Sequence, residues 1–205
     1  MDLTAYPAAG PAAALVLAHG AGAGQSSRFM VAMAQGLAAR GIAVATFDFP
    51  YMASGRRMPD RAPVLEAAWR EALDEARRVF PGLPLHLGGK SMGGRIASQV
   101  AAQGEAGALA GLVCLGYPLH PPGRPEQRRD AHLPAIAEPI LFVQGSRDAF
   151  GSGDEMQALV RQLPNARLER IEGGDHSFKV PGGAAKQEHV LGRVMDEVAE
   201  WVKRK

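Results

Sequence analysis

Cysteine is almost missing. Cys114 is the single one in 205 residues, so no internal disulfide can form, which fits a reducing compartment. An excess of one charge is missing too. Lys and Arg number 23 against 21 Asp and Glu, and the basic residues are scattered among acids, which excludes a nucleic-acid-binding stripe. No apolar stretch approaches the roughly 20 residues that a membrane-crossing helix needs. The apolar patch 12–18 has no Lys or Arg before it and runs into a glycine-rich loop, so it reads as a core strand rather than a signal peptide. No Cys/His spacing suggests zinc, and there is no internal repeat, low-complexity tract or linker. These absences predict a cytoplasmic protein without metal, cofactor, nucleic-acid or membrane partner, either a monomer or a homodimer. The length suits one domain, 1–205, with a sizeable core.

What is present is an alternation. Short apolar runs at 13–18, 42–47, 84–87, 109–115, 139–144 and 166–171 have the length and composition of strands. Between them, 29–40, 63–80, 92–103, 153–163 and 185–203 carry apolar residues at helical spacing. The clearest is 63–80, with Leu65, Trp69, Leu73, Ala76 and Phe80 on one stripe. Residues 1–11 supply at most an edge strand, and 48–62 reads as a polar loop. The class is α/β: a mostly parallel sheet of about six to seven strands with helices on both faces, in three layers. Such sheets carry their chemistry at the carboxyl ends of the strands.

One strand end is unusual. Gly89-Lys90-Ser91-Met92-Gly93 is a G-x-S-x-G, the pattern of a serine raised on a tight strand-to-helix turn. Side chains two positions either side of the serine would collide, and glycines remove them. The turn also aims the first N–H groups of the helix at the serine, where an oxyanion can sit. Two nucleotide-binding patterns fail nearby. A P-loop ending in Gly89-Lys90-Ser91 needs glycine at 84, which is Pro84, and a dinucleotide loop at Gly20-x-Gly22 needs glycine at 25, which is Gln25.

A serine nucleophile needs a base, and the base needs an acid to fix its tautomer. Asp148 follows one apolar strand and His176 another, giving the order Ser91, Asp148, His176 expected of this architecture. Asp154 and Asp175 compete for the acid, and five other histidines for the base, but each lies in a helix, in a strand or in the wrong loop. The stretch His19–Gly24 is nearly bare backbone. Its Ala21 amide, with Gly22 second, is expected to join the Met92 amide in meeting an oxyanion. His19, Lys90 and Tyr117 are candidates for touching substrate, although His19 reads first as a brace for the oxyanion loop. Asp48 reads as a loop-fixing acceptor. Arg56, Arg57, Arg124, Arg128 and Arg129 sit in two loops able to roof the site.

Six segments, 19–24, 47–50, 88–95, 117–123, 144–148 and 174–178, together resemble a small, capless α/β-hydrolase of dienelactone-hydrolase-like type. They are similar in particular to a hydrolase-like group that includes a testis-expressed protein and a chromatin-complex subunit. Dienelactone hydrolases use cysteine where this chain has Ser91. The resemblance implies a Pro-rich loop, 117–133, in place of a cap. It also implies a serine hydrolase that cleaves small carboxyl esters or thioesters through an acyl-enzyme. A non-catalytic interaction module and a peptide or lipid acyl hydrolase are the alternatives.

Overall fold

The strand runs pair as their composition requires. In the computed structural model, which describes residues 1–204, the strands are β2 (Ala13–Ala18), β3 (Ile42–Phe47), β4 (Leu85–Lys90), β5 (Gly111–Leu115), β6 (Ile140–Gly145) and β7 (Ala166–Ile171), all parallel. Strand β1 (Thr4–Tyr6) adds antiparallel to β3, and the sheet order is β1-β3-β2-β4-β5-β6-β7. The order reverses after β3, so β4 lies near the middle with its carboxyl end beside those of β2 and β5. Edge strand β7 is half-buried and charged, with Arg167 paired to Glu197 at 2.9 Å. Such charges discourage pairing with another sheet edge.

Alternating side chains divide the core into two layers. Ala14, Val16 and Ala18 pack with α3 (Ala62–Val79), α4 (Met92–Ala102) and α5 (Gly153–Val160). Their neighbours Ala13, Leu15 and Leu17 pack with α1 (Arg28–Ala38) and α6 (Gly183–Lys203). The predicted three-layer α/β architecture is the observed one. Trp69, buried on α3, stands edge-on to Phe47 and donates its Nε1–H to the Gly93 carbonyl at 3.3 Å. Truncating a core tryptophan typically costs about 3–5 kcal/mol, and this one also steadies the backbone next to Ser91.

Two local expectations need correction. The polar loop 48–62 contains a one-turn helix, α2 (Pro50–Ala53). Phe49 is extended and Pro50 follows at the first helical position, where its missing N–H is no loss. The Pro-rich stretch is followed by a 3₁₀ turn at Leu133–Ala135, where Pro134 plays the same part.

Candidate active site

The glycines around Ser91 are required by contact. A Cβ on Gly89 would stand 2.3 Å from the Gly93 carbonyl carbon, and one on Gly93 would stand 2.5 Å from the Ala18 oxygen. Both obstacles are backbone and cannot swing away. Ser91 itself has φ 51 and ψ −117, a conformation costing a side-chain-bearing residue roughly 1–3 kcal/mol. It is held from both sides: its N–H donates to Leu115 O at 2.9 Å, and its carbonyl accepts the Arg95 N–H at 3.0 Å as α4 begins.

The loops after β6 and β7 deliver the partners. Gly145 has no Cβ because one would lie 2.4 Å from the carbonyls of Gly174 and Asp175, so the two loops can pack flush. His176 Nδ1 then lies 2.8 Å from Asp148 Oδ2, and its Nε2 lies 2.9 Å from Ser91 Oγ. A carboxylate only accepts hydrogen bonds. The proton therefore sits on Nδ1, leaving the Nε2 lone pair towards the Ser91 hydroxyl. Asp148 is 2% exposed, yet it also accepts from Gln144 Nε2 at 2.9 Å and the Phe150 N–H at 2.8 Å. Those donors stabilise a buried anion that would otherwise be costly. Asp175, the rival acid, is engaged in its own loop, accepting the N–H groups of Ser177 and Lys179.

The glycine loop passes directly over Ser91: a Cβ on Gly20 would be 3.5 Å from the Ser91 Cβ. Ala21 lines the cavity above the serine. Gly22 does not line it. His19 does not face the cavity, which corrects its reading as a substrate contact and agrees with its reading as a loop brace. Its ring is fully buried, donating from Nδ1 to Gly20 O at 2.8 Å and accepting the Phe49 N–H on Nε2 at 3.1 Å. Those partners fit a neutral ring. Burial lowers its pKa, with the Gly20 carbonyl and then Asp48 opposing. Asp48 ties the loop down by accepting the Gln25 N–H at 2.7 Å.

A cavity of about 560 Å³ opens above Ser91, walled by Phe29, Met30, Leu65, Met92, Pro118, Phe150 and His176, with Lys90, Arg95, Arg129 and Asp60 as its charged lining. Tyr117, the third substrate candidate, is a second correction. It is fully buried behind the wall, and its hydroxyl donates to Arg129 O at 2.7 Å. Lys90 does line the cavity, but its ammonium donates to the His176 carbonyl at 2.7 Å and lies 5.6 Å from the centre of the Phe178 ring. Burial lowers its pKa to about 8, with Asp148 and Asp175 opposing. Sequence reasoning missed two residues. Gln144 reads as part of an apolar strand, yet its amide joins Asp148, Gly151 O and the Tyr117 N–H. Phe150 packs against the His176 ring at 4.3 Å between centroids. Among the described residues no cluster of His, Cys, Asp and Glu is placed to hold a metal ion, and no helix is long and apolar enough to cross a membrane.

The model of the alpha/beta hydrolase domain family matches residues 11–203, nearly the whole chain and every residue of the site. The chain belongs to the alpha/beta hydrolase domain family. Solved members of this architecture superpose closely on this α/β-hydrolase. An alpha-beta serine hydrolase homologue from Coxiella burnetii does so with a TM-score of 0.77 at 18% identity, over 97% of this chain and 89% of that one. A dienelactone hydrolase from Anabaena variabilis gives 0.72 at 21% identity, again over 97% and 89%. In sequence, 61 residues are 41% identical to the polyketide synthase ThaQ of Burkholderia thailandensis, covering 30% of this chain but only 3% of that much longer protein.

Proposed function

We infer that this α/β-hydrolase is a serine hydrolase of small carboxyl esters or thioesters, working by two-step acyl transfer. The observation that carries the reading is the unbroken relay from Ser91 Oγ through the His176 ring to Asp148 Oδ2. Ser91 attacks the carbonyl carbon while its proton passes to His176 Nε2. The imidazolium that forms is stabilised by Asp148, whose charge is buried and already hydrogen-bonded. Oxygen of the substrate carbonyl becomes an oxyanion, met by the N–H groups of Met92 and Ala21. Losing one such donor typically costs about 2.7–4 kcal/mol of barrier. His176 returns the proton to the leaving alcohol or thiol. Water then repeats the sequence on the acyl-enzyme, and each step uses only this chain's own groups and water.

The dienelactone hydrolase among the structural neighbours is named for a lactone, a cyclic ester, which agrees with this bond type. The 117–133 loop in place of a cap favours small acyl groups over long lipid chains. A graded series of 4-nitrophenyl esters and acyl thioesters tests the reading. Turnover by the wild type, lost in Ser91→Ala with the fold retained, is expected; turnover surviving in Ser91→Ala contradicts it.

A further inference from the structure

Two guanidinium groups line the cavity beside Ser91 without a carboxylate to neutralise them. Arg95 lies four residues after Ser91, one turn along and on the same face of α4. Arg129 reaches the cavity from the 117–133 loop. Their neighbours are paired: Arg56 with Asp60 at 2.8 Å, and Arg128 with Asp130. Among the described residues Arg95 and Arg129 take part in no ion pair, and Arg95 has only a long hydrogen bond to Gln99 Oε1 at 3.3 Å. Asp60, the one carboxylate in the wall, is bound by both prongs of Arg56. Glu66 acts on Arg95 through its charge but forms no ion pair with it, and it accepts from Gln103 at 2.9 Å.

Arg129 is set in place rather than trailing in solvent. Its N–H donates to Leu119 O at 2.8 Å, and its carbonyl takes the hydroxyl of fully buried Tyr117 at 2.7 Å. The pillar is thus a tyrosine from the same loop. Burial first and Arg129 second push the Arg95 pKa down, with Tyr117 and Glu66 opposing, as expected for like charges sharing a half-buried wall. Two cations without an ion-pair partner in a cavity wall favour an incoming anion. Leu65, Met92 and Pro118 give the same cavity an apolar lining.

We propose that Arg95 and Arg129 form an anion subsite that holds a carboxylate at the far end of the acyl group, so that the preferred substrates are esters or thioesters of dicarboxylic acids. This rests on Ser91 being the nucleophile. Ser91 and Arg95 stand about one helical turn apart along the backbone, so a short dicarboxylic acyl group such as adipate is the probe.

The experiment compares mono-4-nitrophenyl adipate with 4-nitrophenyl hexanoate, equal in carbon count and differing in the terminal charge. The wild type is expected to favour the adipate in kcat/KM by about tenfold or more, and the preference shrinks as salt is raised. Arg129→Gln and Arg95→Gln each reduce that ratio about tenfold, whereas Arg124→Gln, at an exposed position of the same loop, leaves it unchanged. A ratio near one in the wild type, or one indifferent to both substitutions, overturns the subsite while hexanoate turnover keeps the serine hydrolase reading. Binding of monomethyl adipate to Ser91→Ala, followed by calorimetry, supplies a readout independent of catalysis. Binding lost in Ser91→Ala/Arg129→Gln supports the subsite even if neither ester is hydrolysed; binding that persists in the double variant overturns it.

Discussion

His86, within β4, gives this protein a specific weakness to acid. Its ring is fully buried, neither nitrogen has a hydrogen bond, and it meets Trp201 of α6 edge-on at 5.9 Å. Desolvation lowers its pKa from 6.5 to about 4, and the nearby backbone of Ala14 and Pro84 offsets only part of that. The folded state therefore holds the ring neutral, while the unfolded chain takes up a proton as pH falls below about 6.5. Stability contributed by neutral His86 is complete above that value. It declines by up to about 1.4 kcal/mol per pH unit and levels off near pH 4, where the native ring is protonated as well. The whole loss is about 3 kcal/mol, a large share of the roughly 5–15 kcal/mol that holds a typical domain folded. His86→Leu removes the titration and two unpartnered nitrogens. Urea unfolding of wild type and variant, at near-neutral pH and again near pH 4.5, isolates the effect because all other groups cancel in the difference. The variant's advantage should grow by about 2–3 kcal/mol on acidification. An advantage that stays constant with pH refutes the reasoning.

Two further outcomes follow from contacts near Ser91. Gly93→Ala places a methyl against the Ala18 and His19 carbonyls at 2.5 and 2.6 Å. It should destabilise by about 1–3 kcal/mol, and ester hydrolysis should fall by about a hundredfold because the glycine loop has to shift; unchanged kcat with an unchanged melting temperature contradicts the contact. Gln144→Leu keeps the volume but strips Asp148 of one donor and leaves the Tyr117 N–H and Gly151 carbonyl unpartnered. Each buried group so orphaned costs about 1–3 kcal/mol. In denaturant and kinetic measurements stability and kcat should fall together with KM little changed, and a variant as stable and active as wild type defeats the assignment.

How much of this was legible in the sequence depends on where each residue's partners lie. The turn at Ser91 was legible because its steric demand is local: glycines at 89 and 93 are the only residues that fit, and the sequence prints them. Buried parallel strands were legible from apolar runs, and the placement of Ser91, Asp148 and His176 together follows from their positions at three strand ends. Tyr117, and His19 as a substrate contact, were misread because what turns them inward is distant backbone, the Arg129 carbonyl and the Phe49 amide. Neither partner leaves a mark in the residue's own neighbourhood. Gln144 was hidden by its apolar strand, where periodicity speaks of faces and not of the hydrogen bonds at a strand's last turn. Arg129 looked like one surface arginine among five. Only the fold distinguishes it, by placing Arg129 alone of the five in the cavity wall and giving it no ion pair.

The central claim is that the Ser91 hydroxyl is made nucleophilic by His176 and Asp148. Labelling with a fluorophosphonate probe, followed by peptide mass spectrometry, tests it most directly. One adduct is expected, on Ser91, formed quickly by the wild type and slowed by orders of magnitude in His176→Ala. An adduct elsewhere, or labelling of Ser91 at the same rate without His176, contradicts it.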